Sequence, residues 1–131
     1  MNPQELIQAA LDAKKHAYVP YSKFPVGAAL LTKSGKIYTG CNVEIGSIGL
    51  TICAERTAVV KAVSEGEKEF SAICCVADTE EYCSPCGACR QFIAEFGMDT
   101  VVIMANKHGD YKTAPISGLL PHAFVLDKEL D

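Results

Sequence analysis

The sequence predicts a three-layer α/β/α sandwich around a mixed five-stranded sheet. Three observations lead there. Two strand-like segments flank Lys33-Ser34-Gly35-Lys36 and read as a β-hairpin. Two unbroken apolar runs, Ala72 to Ala77 and Val101 to Ala105, have the character of strands buried on both faces. A helical pattern separates these runs, and strand–helix–strand implies a parallel pair joined by a right-handed crossover. One domain over residues 1–131 suits the length.

The first element is a helix from Pro3 to Ala17, with Leu6, Ala10, Ala13 and Ala17 on one stripe. Tyr18-Val19-Pro20-Tyr21 stops it, because a proline disfavours helix in the residue before it. Val26 to Leu31 and Ile37 to Glu44 are the hairpin strands. Alternation along the second puts Asn42 and Glu44 on one face at its end. Cys53 to Glu65 is a second helix, ended by Gly66. Ala88 to Phe96 is a third, with Ala88, Phe92, Ile93 and Phe96 inward and Gly97 as its stop. Tyr111 to Ala114 reads as a last short strand and Ile116 to Leu120 as a final short helix.

Charge and composition narrow the function. The net charge of −4 argues against a protein held on nucleic acid by phosphate contacts, and no basic stripe stands out. The apolar runs are too short to span a bilayer. MNPQELIQ lacks the basic end and apolar core of a signal peptide, so a cytoplasmic location is expected. Seven cysteines, an odd number without an export signal, point to metal binding or catalysis rather than a disulfide framework.

Three of those cysteines are placed unlike the rest. Cys53 lies where the second helix begins, and Cys86 and Cys89 open the third in Pro85-Cys86-Gly87-Ala88-Cys89. Residues three apart share one face of a helical turn, so one ion can reach both. The positive end of a helix also favours thiolates. Three protein ligands leave a tetrahedral Zn²⁺ one open position, where a water becomes acidic enough to act near neutral pH. Glu55 follows Cys53 by two residues and suits a proton-shuttling carboxylate. Three thiolates on Zn²⁺ leave a charge of about −1. Arg56, with the two helix dipoles, is the candidate to offset it.

Cys53-Ala54-Glu55 with Pro85-Cys86-Gly87-Ala88-Cys89 matches the two-part signature of zinc deaminases that act on bases. With Tyr18-Val19-Pro20-Tyr21-Ser22-Lys23-Phe24, Val26-Gly27-Ala28-Ala29-Leu30, Gly40-Cys41-Asn42-Val43-Glu44, Ser84, Arg90-Gln91 and Leu119-Leu120-Pro121, nearly the whole chain resembles the small zinc-dependent cytidine deaminases. The resemblance implies one Zn²⁺ per subunit on Cys53, Cys86 and Cys89, and Glu55 as the catalytic acid–base. It implies a cytidine or deoxycytidine substrate, a place in pyrimidine salvage, and a homotetramer with shared active sites. Asn42 and Glu44 match a pair that binds the ribose, and Phe24 an aromatic against the pyrimidine. Backbone groups near Ala54 and Ser84 would read the pyrimidine edge. Phe124 matches an aromatic contributed across a subunit boundary. One stretch departs from the family. Ile45-Gly46-Ser47-Ile48 stands where polar residues and a tyrosine are usual.

Other readings compete. The three cysteines suit buried structural thiols, a Cys86–Cys89 redox pair, or a closed structural zinc with Cys41 or Cys83 as fourth ligand. The Ile45–Ile48 departure suits a deaminase of a related aminopyrimidine nucleoside such as blasticidin S. A zinc-stabilised interaction module without turnover is the reading from a different class. Cys41, Cys74 and Cys75 read as core residues, Cys83 as a neighbour of the metal, and His16, His108 and His122 as structural or solvent-facing.

Overall fold

The structure, a computed structural model, describes residues 1–126. It contains α1 (Pro3–Lys14), β1 (Val26–Thr32), β2 (Ile37–Cys41), α2 (Ala54–Ser64), β3 (Phe70–Ala77), α3 (Gly87–Ala94), β4 (Val101–Ala105), β5 (Tyr111–Pro115) and α4 (Ile116–Leu119). A 3₁₀ turn at Ile48–Leu50 precedes α2. The strands form one sheet in the order β2-β1-β3-β4-β5. β3 and β4 are parallel, joined through α3, and every other neighbouring pair is antiparallel.

Alternation along the strands divides the core into two layers. Ala28 and Leu30 of β1, Ile73 and Cys75 of β3, and Val102 and Met104 of β4 face one way. They pack on Ala58 and Val59 of α2, Ile93 of α3 and Ile116 of α4. Ala29, Ala72, Cys74, Val76, Ile103 and Ala105 face the other way, onto Leu6, Ile7 and Ala10 of α1. The expected α/β/α layering is therefore present, and β3 at its centre is buried almost throughout.

The two largest differences between the expected and observed boundaries have one physical reason. α1 ends at Lys14 rather than Ala17, and β2 ends at Cys41 rather than Glu44. The chain after α1 leaves the helix so that Tyr18 can pair with the segment after β2. The Tyr18 N–H donates to Asn42 O at 3.0 Å, and the Glu44 N–H to Tyr18 O at 2.9 Å. Val43 exchanges both backbone bonds with Ile52, at 3.0 Å each. This long-range pairing replaces the last turn of the helix and the end of the strand, and local pattern cannot reveal it.

β2 also sets how closely α2 approaches the sheet. A side chain at Gly40 would place its first carbon 2.5 Å from Ala54 O and 2.6 Å from the Ala58 nitrogen. Only a hydrogen fits there, so α2 lies directly on the strand.

Candidate metal centre and substrate cavity

Cys53 and Cys86 are the residues immediately before α2 and α3, both in extended backbone, and Cys89 lies in the first turn of α3. The folding of each segment explains the placement. α2 begins only after the Val43–Ile52 pairing releases the chain. α3 begins after the Cys83 N–H bonds to Ala105 O at 3.0 Å, which fixes the Ser84-Pro85 turn beside β4. Two helix N-termini thus converge, and their free N–H groups and dipoles favour anionic sulfur there.

The sulfurs of Cys53, Cys86 and Cys89 lie within 4.8 Å of one another. Those of Cys86 and Cys89 are 3.5 Å apart, much longer than the S–S bond of about 2.05 Å. Three sulfurs at Zn–S distances near 2.3 Å on a tetrahedral ion are separated by about 3.8 Å. The donor set therefore fits zinc. Neither Cys41 nor Cys83 joins the cluster, so the described residues supply three ligands and no fourth.

Charge around the cluster has an identifiable compensator. Arg56 donates from Nη2 to Cys53 Sγ at 3.2 Å. Its Nε is buried without a partner among the described residues. The sulfur of Cys53 raises the guanidinium further above its ordinary value. For Cys86, burial works against ionisation, but the N–H groups of Cys89 and Ala88 and the neighbouring thiols outweigh it, so its thiol is pulled down. Burial, then the Glu55 charge, pushes the Cys89 thiol up when no cation is present.

Glu55 is 5% exposed, the most deeply buried carboxylate among the described residues. Burial raises its pKa, so it retains a proton to higher pH than an exposed glutamate. It lines a cavity of about 200 Å³ with Phe24, Val26, Asn42, Thr51, Cys53, Ala54, Cys83, Ser84 and Cys86. The cavity brings together seven expected site residues: Phe24, Asn42, Ala54, Ser84, Glu55, Cys53 and Cys86. A buried proton carrier beside a three-sulfur cluster at a cleft wall can serve hydrolytic chemistry on a small planar molecule.

The model of the cytidine and deoxycytidylate deaminase zinc-binding region matches residues 1–105. The chain belongs to this deaminase family. It is 53% identical over 125 residues to a cytidine deaminase of Sporosarcina psychrophila, covering 95% of this chain and 92% of that protein. The crystal structure of a cytidine deaminase from Burkholderia pseudomallei matches with a TM-score of 0.91 and 47% identity, over 95% of this chain and 100% of that one. A blasticidin-S deaminase of Bacillus cereus is more distant, 32% identical over 125 residues, covering 89% of this chain and 88% of that protein.

Asn42 and Glu44 are engaged by the fold itself. Asn42 accepts from the Val26 N–H and donates to Phe24 O, both at 2.9 Å. Glu44, 8% exposed, accepts from the N–H groups of Tyr21 and Ser22 at 3.1 Å and from the Ser22 hydroxyl. Together they clamp the loop that presents Phe24. The strand pattern predicts them on one face at the end of β2, but β2 stops at Cys41 and of the two only Asn42 lines the cavity. Phe124 stands apart. It is 70% exposed and borders a separate apolar groove on α3 with Ala88, Gln91, Phe92, Glu95 and Phe96. Thr51 also lines the cavity and carried no sequence signal, and Val26, expected only as a strand and motif residue, lines it too. Cys74 and Cys75 are buried as expected, whereas Cys41 is half-buried. His108 is exposed and pairs with Glu80.

Proposed function

We propose that this chain hydrolyses cytidine or deoxycytidine to uridine or deoxyuridine and ammonia, using one Zn²⁺ held by Cys53, Cys86 and Cys89. The observation that carries the reading is the buried Glu55 carboxyl, in the first turn of α2 and on the wall shared with Cys53 and Cys86. Bound zinc supplies the Lewis acidity that makes water nucleophilic at neutral pH. Glu55 takes a proton from the attacking water and passes it to N3 of the cytosine ring. It then takes the second proton from the same oxygen and delivers it to the exocyclic nitrogen. Oxygen bonds to C4, the C4–N4 bond breaks, and NH₃ leaves.

Arg56 offsets the thiolate charge. Phe24 packs on the pyrimidine, Ala54 and Ser84 read its edge through the backbone, and Asn42 and Glu44 meet the sugar with the capacity the loop clamp leaves them. The ligand is a small nucleoside rather than a polynucleotide, in keeping with the net charge of −4. The setting is cytoplasmic pyrimidine salvage. The assembly is a homotetramer in which Phe124 reaches a neighbour's cavity. Apolar side chains left exposed on one chain, among them Ile48, Leu50, Val60 and Phe124, support that assembly.

Ammonia release from cytidine by zinc-loaded protein tests the reading, with Glu55→Ala beside it. The variant should keep its zinc and lose about 10²- to 10⁴-fold in kcat. An inert parent with zinc bound would overturn it. Blasticidin S is the competing substrate raised by Ile45 and Ile48. The blasticidin-S deaminase is the more distant relative, which favours cytidine, and turnover of the two compounds side by side separates them.

A further inference from the structure

Arg90 binds neither the metal cluster nor the cavity, yet its guanidinium is the most heavily engaged among the described residues. Nε donates to Pro85 O at 2.8 Å, Nη2 to Ser84 Oγ at 2.7 Å, and Nη1 to Leu119 O at 2.8 Å. The first two acceptors belong to the turn that forms one wall of the substrate cavity and leads into Cys86. The third is a carbonyl at the end of α4, a group that lacks an intrahelical partner. The next residue, Gln91, donates from Nε2 to Phe124 O at 2.8 Å. Two consecutive side chains of α3 therefore hold the segment from Leu119 to Phe124, and Arg90 also joins it to the cavity wall.

We propose that Arg90 is a positioning residue for substrate, holding the Ser84–Pro85 wall in register and joining it to the end of α4. Ser84 is exposed and precedes a proline, and the Ser84-Pro85 turn lies outside helix and sheet. A turn so placed keeps several conformations unless side chains restrain it. The planar fork of an arginine satisfies three acceptors in fixed directions, which the single ammonium of lysine cannot do. Arg90 thus acts on binding of the pyrimidine edge rather than on proton transfer, which stays with Glu55.

The inference rests on the cytidine-deaminating reading, and the parent's turnover of cytidine checks that reading separately. The test uses zinc-loaded Arg90→Ala, Arg90→Lys and Ser84→Ala. Zinc content, cytidine kinetics and calorimetric binding of uridine are the readouts. Arg90→Ala should raise KM and weaken uridine binding about ten- to a hundredfold with kcat within about threefold, since bonds to a charged donor are lost. Lysine should not rescue it, whereas guanidinium ion added to Arg90→Ala should recover part of the affinity. Ser84→Ala, which removes one of the three acceptors, should show a smaller KM effect. That effect should be largely absent in the Arg90→Ala background, as for two residues in one network. Unchanged KM in both Arg90→Ala and Ser84→Ala would overturn the proposal. So would a fall in kcat tracking zinc loss with KM constant, or full recovery by lysine. If Arg90→Ala fails to fold, Ser84→Ala and Arg90→Lys decide: unchanged KM and uridine affinity in both overturns the role.

Discussion

Gly40→Ala tests whether the closeness of α2 to the sheet governs the chemistry. The added carbon would lie 2.5 Å from Ala54 O, 2.6 Å from the Ala58 nitrogen and 3.0 Å from Thr57 Cβ. Ordinary contact starts at 3.4 Å, so the first turn of α2 must retreat by about 0.9 Å. The nearest obstacles are backbone atoms, which cannot rotate away. That turn carries Cys53 at its start and Glu55 within it. Overpacking of this kind costs about 1–3 kcal/mol of stability. A misplacement near 1 Å costs about a hundredfold in rate. The expected result is therefore a kcat about a hundredfold lower with a cooperative but earlier melt. Ammonia release and calorimetry measure both. Gly118→Ala is the control, because its added carbon meets only Pro115, at 3.7 Å and beyond, and should stay within about 0.5 kcal/mol of the parent. If Gly40→Ala matched the parent in kcat and stability, the claim that α2 is held against β2 by the missing side chain would fail.

Three further perturbations follow from the site. Arg56→Ala removes the cation beside Cys53 and should weaken zinc about ten- to a hundredfold in chelator competition, with Arg56→Lys between variant and parent. Stripping the metal should abolish ammonia release and, from a site loaded at a thousand times its Kd, cost about 4 kcal/mol of stability. Zn²⁺ but not Mg²⁺ should restore both, because thiolates are soft ligands. Glu44 is held below the ordinary carboxylate value of 4.5, first by the Ser22 hydroxyl and then, against some burial, by the N–H groups of Ser22 and Tyr21. Because the folded value is the lower one, its stabilisation is complete above the unfolded value and is lost as pH falls through the folded value. Amide exchange at Tyr21 and Ser22 should therefore be faster in Glu44→Gln than in the parent at pH about 6, and the difference should shrink in acid.

The three-cysteine cluster was legible because metal-binding chemistry imposes a local pattern. Cys86 and Cys89 are separated by one helical turn, and Cys53 and Glu55 by two residues at a helix start; the fold is needed only to bring the two pieces together. The layering was legible for a similar reason. Unbroken apolar runs at Ala72–Ala77 and Val101–Ala105 suit only strands covered on both faces. What escaped depends on long-range pairing. Tyr18 with Asn42 and Glu44, and Val43 with Ile52, join segments whose own patterns point to a helix end, a strand end and a loop. The clamp of Asn42 and Glu44 on the Phe24 loop escaped with them, since both residues lie past the end of β2, in the segment that this pairing places.

The same distinction explains the arrangement of the site. The groups proposed to carry the reaction sit at the starts of two helices that pack on the sheet. The cavity-lining groups proposed to meet the substrate sit on connecting segments: Phe24 in the loop after α1, Ser84 before α3, Thr51 before α2. Such segments carry only isolated backbone bonds, so side chains complete their restraint. Glu44 and Asn42 hold the first, Arg90 the second, and Thr51 returns a bond from the Ile45 N–H at 3.2 Å. Substitutions in these restraining residues should therefore alter substrate affinity before rate, whereas those under α2 and α3 should alter rate first. A kcat loss without a KM change in Asn42→Ala would contradict that division, because Asn42 joins Phe24 O to the Val26 N–H and touches neither helix start through a hydrogen bond.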